Sequence, residues 1–122
     1  MKGQSPIAAT LGFIEFLLTQ VNKMIQRIDH ISIAVRDYKK ADAFFTKLLG
    51  IIPGGAGKDE SSKYLFQIYS AGDLSRLELI APTGDKSFLD SFLKERDGGV
   101  HHITFQVTDI KAAAKYLDAQ DI

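Results

Sequence analysis

Gly98-Gly99-Val100-His101-His102-Ile103-Thr104-Phe105-Gln106-Val107-Thr108-Asp109 is a second version of Ile28-Asp29-His30-Ile31-Ser32-Ile33-Ala34-Val35-Arg36-Asp37. With His30 laid on His102, Ile31 falls on Ile103, Val35 on Val107 and Asp37 on Asp109, while Ser32/Thr104 and Ile33/Phe105 match in chemistry. The match runs on through Lys39/Lys111 and Ala41/Ala113. Such a repeat marks a supersecondary unit used twice. Each copy alternates like a strand and then passes an Asp able to cap the helical spacing that follows, so the unit is strand, turn, helix.

Around the first copy, Ile31, Ile33 and Val35 form one face of the strand and His30, Ser32 and Ala34 the other. The helix after Asp37 carries an apolar stripe of Ala41, Phe44, Phe45, Leu48 and Leu49, and Gly50 supplies a left-handed stop. Gly54-Gly55-Ala56-Gly57-Lys58 reads as a glycine-rich link; it lacks the Lys-Ser/Thr ending of a phosphate loop. Tyr64 to Tyr69 alternates, with Phe66 and Ile68 opposite Leu65, Gln67 and Tyr69, and Ala71-Gly72-Asp73 turns the chain into Arg76 to Ala81, where Glu78 stands between Leu77 and Leu79. A short helix near residues 87–96, with Phe88, Leu89, Phe92 and Leu93 apolar, precedes the second copy. In that copy the Asp109-capped helix is expected to bury Ile110, Ala113, Ala114 and Leu117.

These elements predict an α+β fold of paired βαβββ modules, the second ending after its first strand and helix. The expected divisions are residues 1–26 as an N-terminal amphipathic extension, 27–97 as the first module and 98–122 as the start of the second. In the extension Leu11, Ile14, Leu18, Val21 and Ile25 recur at helical spacing, widened by Phe13, Phe16 and Leu17. That helix suits a docking or dimerisation arm, a helix packed on the sheet, or a stretch upstream of the natural start, since Met24 sits just before the repeat.

At 122 residues the chain has the length of one domain. Fifteen basic and fifteen acidic residues cancel, which argues against a nucleic-acid or anionic-membrane partner. With no cysteine, strong metal ligands must be His or carboxylate. The absence of cysteine also fits the expectation of a cytoplasmic protein, and the apolar run from Ile7 to Leu18 is too short to span a bilayer and contains Glu15.

Three candidate ligands stand on polar strand faces: His30, Glu78 and His102. If the repeated strands are neighbours, the two histidines converge and the strand carrying Glu78 approaches them. Two imidazoles and a carboxylate suit Zn, Fe, Co, Ni or Mn, with positions left for water or substrate.

The segments at 29–35, 77–82 and 99–110 resemble the vicinal oxygen chelate superfamily, which includes glyoxalases, bleomycin-resistance proteins and extradiol dioxygenases; within it they are most similar to methylmalonyl-CoA epimerases. The resemblance covers about residues 28–122. It implies a cupped mixed sheet with a metal in the cup, held by His30, Glu78 and His102. The implied chemistry is proton abstraction α to a thioester, with lactoylglutathione lyase-like isomerisation or non-catalytic binding of a small molecule as the alternatives. The implied partner is an acyl-CoA or a glutathione adduct. Two departures bear on activity: the family's fourth ligand, a Glu on the last strand of the second module, has no counterpart here, and Gln67 stands near the position where some epimerases carry a catalytic Glu. The catalytic residue is left open, with Glu78 as a candidate, and with the fourth ligand and a base at the Gln67 position missing, epimerase turnover is expected to be weak or absent. The open strand edge of an incomplete second module further predicts a homodimer.

Overall fold

The computed structural model describes residues 3, 5–73 and 75–122; the side chains of residues 16–23 lie outside that description, and with them the expected roles of Phe16, Leu17, Leu18 and Val21. Helix α1 spans Pro6–Met24, where Pro6 loses nothing at a first-turn position and the Ser5 hydroxyl accepts from Ala8 N–H at 3.2 Å. Strand β1 follows at Ile25–Val35. Helix α2, Tyr38–Ala43, is capped by the Asp37 carboxylate, which accepts from Lys40 N–H at 3.0 Å. It runs on as a π-helical turn over Phe44–Leu48 and ends at Gly50 with φ +64°. Strands β2 (Ile52–Asp59), β3 (Tyr64–Ala71) and β4 (Ser75–Pro82) lead to the short helix α3 (Asp90–Leu93). Strand β5 (Gly98–Val107) and helix α4 (Ile110–Asp118) are the second copy of the repeat, and Asp109 caps α4 through Lys111 N–H and Ala112 N–H, both at 3.0 Å.

The strands form one mixed sheet in the order β2-β3-β4-β1-β5, so the two repeated strands are neighbours. β1 runs parallel to β4, with Ser32 opposite Glu78 and Ala34 opposite Ile80, while β3 is antiparallel to both β2 and β4. This is the α+β class expected from the sequence.

The chain divides into two compact units, residues 29–104 and residues 1–28 with 105–122. In the second of these, the Arg27 guanidinium donates to Gln106 at 2.6 Å and Thr108 N–H to the Met24 carbonyl at 3.1 Å. There α4 buries Ala113 and half-buries Leu117, but Ile110 is 72% exposed and Ala114 is exposed, so the predicted four-residue stripe is half formed.

In residues 29–104 each sheet face has its own core. On one, Phe45, Tyr69 and Leu79 are buried with Ile33, Val35, Tyr38, Ala41 and Leu77 packed around them. On the other, Ala34, Ile80, Leu89 and Leu93 are buried beneath Tyr64, Phe66 and Phe92. Two expectations need correction. Of the predicted α2 stripe Phe45 is buried, whereas Phe44, Leu49 and above all Leu48, 73% exposed, are not. The cause is the π turn, closed by Leu49 N–H to the Phe44 carbonyl at 3.1 Å, which widens the helical period and moves residues four apart off a common face. The stretch Gly54 to Lys58 is strand rather than link: β2 pairs with β3 through it, with an irregularity between Pro53 and Ala56. At Gly57 a Cβ would sit 2.8 Å from the Phe66 ring, so glycine is what lets the ring lie across the strand.

Candidate metal centre

Parallel pairing of β1 with β4 sets Ser32 beside Glu78, and β5 on the other side of β1 brings His102 to the same place. His30, two residues before Ser32, shares its face. The result is a group in which one ligand atom each from His30, Glu78 and His102 lies within 4.8 Å of the others. His30 Nε2 is 3.4 Å and His102 Nε2 4.0 Å from Glu78 Oε2. Metal bonds of about 2.0–2.2 Å place neighbouring donors roughly 3–4 Å apart; the donor types and both distances to Glu78 fit a divalent metal, and the full 4.8 Å span of the group would have to tighten around one. Glu78 is buried, His30 half-buried and the His102 side chain 41% exposed.

Ser32, fully buried, lies at the centre of the group, and nothing in the sequence singled it out. Its hydroxyl donates to Glu78 Oε2, and its Oγ is 2.8 Å from His102 Nε2. A hydroxyl has one proton to give. With that proton on Glu78, Oγ accepts from His102 Nε2–H, and a metal taken up here would displace that proton. His30 is oriented from behind: its Nδ1 is 2.8 Å from Asp29 Oδ2, and the other Asp29 oxygen accepts from the Arg76 guanidinium at 2.5 Å.

His101 flanks the group. Strict alternation would send it to the far face, yet its Nδ1 lies 2.8 Å from His102 Nδ1 and its ring meets Phe88 and Phe92 edge-on at centroid distances of 5.5 and 4.9 Å. Burial, and then the neighbouring His102, hold its pKa below the usual imidazole value. Tyr64 stacks edge-on against Phe88 at 4.8 Å, and its phenol is pushed up by burial and by the charges of Asp59 and Glu78. Together these rings form an apolar wall beside the polar group.

Gln67 is not brought to the site. It pairs with Leu79, so its side chain leaves the sheet on the face opposite Glu78, where its amide donates to the carbonyls of Gly54 and Gly55 at 2.9 and 3.2 Å. It ties down the irregular start of β2.

The sequence pattern of the glyoxalase/bleomycin resistance protein/dioxygenase superfamily matches residues 29–122. The chain is 37% identical over 95 residues to the ethylmalonyl-CoA/methylmalonyl-CoA epimerase of Cereibacter sphaeroides, covering 77% of this chain and 70% of that protein. It is 34% identical over 97 residues to the mitochondrial methylmalonyl-CoA epimerase of Homo sapiens, covering 79% of this chain and 54% of that protein, so it spans about half the length of that relative. Among solved structures, a variant of the Streptomyces coelicolor methylmalonyl-CoA epimerase in complex with 2-nitronate-propionyl-CoA superposes with a TM-score of 0.72 at 27% identity, over 80% of this chain and 74% of that one.

Proposed function

The chain belongs to the glyoxalase/bleomycin resistance protein/dioxygenase superfamily, and from that premise we propose that it acts on the α carbon of an acyl-CoA thioester of the methylmalonyl-CoA type, at a divalent metal held by His30, Glu78 and His102. The observation that carries this reading is the convergence of those three side chains on one face of β1, β4 and β5. A metal held there by His30, Glu78 and His102, one of Co, Ni, Zn, Mn or Fe, would supply Lewis-acid stabilisation of negative charge on a carbonyl oxygen.

The residues divide the remaining work. His30 and His102 contribute neutral nitrogens and leave the charge of the site to Glu78. Ser32 fixes the Glu78 carboxylate by its hydrogen bond. Phe88 and Phe92 pack on His101, which flanks His102, and so give that side of the site an apolar border. Proton movement falls to a carboxylate, and Glu78 is the one the cluster contains; Gln67 has no part in it. Because Glu78 must also hold the metal, we expect slow exchange, under roughly 1 per second, the low end of ordinary turnover.

The test is solvent deuterium uptake at the α carbon of methylmalonyl-CoA, followed by NMR with each metal in turn. Uptake that requires metal and is lost in Glu78→Gln while metal is retained supports the assignment. Unchanged uptake in Glu78→Gln refutes the base role, and binding of the thioester without any exchange favours a binding protein. A homodimer belongs to the same reading, motivated by the exposed apolar residues Phe44, Leu48, Leu49 and Ile52; light scattering across a dilution series decides it.

A further inference from the structure

Behind His30 stands a pair of charges, Asp29 and Arg76. Asp29 uses both carboxylate oxygens: Oδ2 is 2.8 Å from His30 Nδ1 and Oδ1 takes the Arg76 guanidinium at 2.5 Å. Asp29 is next to His30 in the chain, and Arg76 comes from the neighbouring parallel strand β4, two residues before Glu78. A carboxylate accepts and does not donate, so the ring nitrogen facing it must carry the proton. The opposite nitrogen, Nε2, is the one 3.4 Å from Glu78 Oε2 and directed at the cluster.

We infer that Asp29, anchored by Arg76, is a positioning residue that holds His30 in the Nδ1–H form and so presents the Nε2 lone pair to the metal site. The effect on metal rests on the reading given above; the effect on the ring does not. Three features favour it over a surface ion pair. The Asp29 and His30 side chains are only 26% and 16% exposed. Both Asp29 oxygens are committed in different directions, so the carboxylate cannot swing without breaking a contact. Arg76 ties the backing of one ligand to the strand that carries another, so the spacing between His30 and Glu78 is braced on both sides. Carboxylate backing of a metal-binding imidazole fixes its tautomer and raises its donor strength, and its loss costs about 10–100-fold in metal affinity.

The experiment has two readouts on the folded full chain. In the metal-free protein, nitrogen-15 NMR of the imidazoles at a pH where the rings are neutral reports which nitrogen of His30 carries the proton. The expected result is Nδ1–H in the unsubstituted chain and a mixture of tautomers in Asp29→Ala. A His30 protonated on Nε2, or a pattern unmoved by Asp29→Ala, overturns the inference. Cobalt titration then reads the consequence: about 10–100-fold weaker binding in Asp29→Ala, with partial rescue in Asp29→Asn, whose amide oxygen can still accept. Equal affinity in Asp29→Ala and the unsubstituted chain overturns the positioning role. If the unsubstituted chain takes up no metal while the tautomer behaves as expected, the metal reading fails and the role of Asp29 in fixing the ring stands.

Discussion

Along β1 and β4 the side chains at 33, 35, 77 and 79 join the core beneath α2, while those at 32, 34, 78 and 80 turn to the face covered in part by α3. The first face is filled by Ile33, Val35, Leu77 and Leu79 against Phe45 and Tyr69, with the Tyr69 hydroxyl donating to Asp42. The second has small residues on β1, Ser32 and Ala34, where the first has branched ones. That difference in volume is what admits a carboxylate and two imidazoles between strands only one hydrogen-bonded spacing apart. One face converts sequence into stability by packing, and the other keeps a polar group buried at the cost of needing every partner in place.

The sharpest way to break this comparison is to remove a ligand. His30→Ala and His102→Ala should each lower metal affinity at least about a hundredfold, beyond the loss expected from a residue that only supports a ligand. His101→Ala should keep most of the affinity, because His101 touches His102 through its ring and contributes no atom to the cluster. Equal losses for all three, measured by metal content after dialysis, would break the assignment of His102 over His101.

The opposite face should respond in the opposite currency. Leu79, fully buried among Phe45 and Tyr69, is expected to cost about 2–5 kcal/mol as Leu79→Ala, read by urea denaturation, with metal affinity of the folded fraction unchanged within about twofold. A Leu79→Ala chain that unfolds normally but loses metal would show that the two faces are coupled through β4.

How much of this was open to sequence reading follows from what each residue needs. The coming together of His30, Glu78 and His102 was legible because alternation and the repeat are properties of the chain alone. Ser32 could not, since a serine between two isoleucines looks like any polar position until the register sets it against Glu78. Asp29 and Arg76 meet only across a parallel strand pair, a contact no local pattern encodes. Gln67 was placed near the chemistry by resemblance, and only the register, which pairs it with Leu79 and Ile68 with Glu78, sets it on the face away from Glu78. The strand at Gly54 to Lys58 was missed because backbone pairing needs no side chain and glycine is a poor strand former.

Gly57 offers a smaller test of the same point. An added methyl would meet the Phe66 ring at 2.8 Å, and that ring is held against the core of Ala34, Ile80, Leu89 and Leu93 and cannot simply swing away. Gly57→Ala should therefore destabilise by roughly 1–3 kcal/mol. A neutral or stabilising result in thermal unfolding would mean that glycine is present at 57 for no packing reason.

The smallest expected effects are in pH, and they separate the two cores by sign. Tyr69 is held well above the usual phenol value by burial first, then by its hydrogen bonds with Asp42 and Tyr38. Its folded form keeps a proton that the unfolded chain loses near pH 10.0, so stability is full below that pH and falls as pH rises past it. His101 is shifted the other way, below its ordinary 6.5, by burial against Phe88 and Phe92 and by His102. Here the unfolded chain takes up the proton first, so stability is full above about pH 6.5 and is lost as pH falls until the folded ring also protonates. Urea midpoints across pH should thus show an alkaline limb flattened by Tyr69→Phe and an acid limb flattened by His101→Phe, a change that keeps an aromatic ring on Phe88 and Phe92. If His101→Phe leaves the acid limb intact, the carboxylates govern it and His101 is not the pH-sensitive edge of the metal-site face.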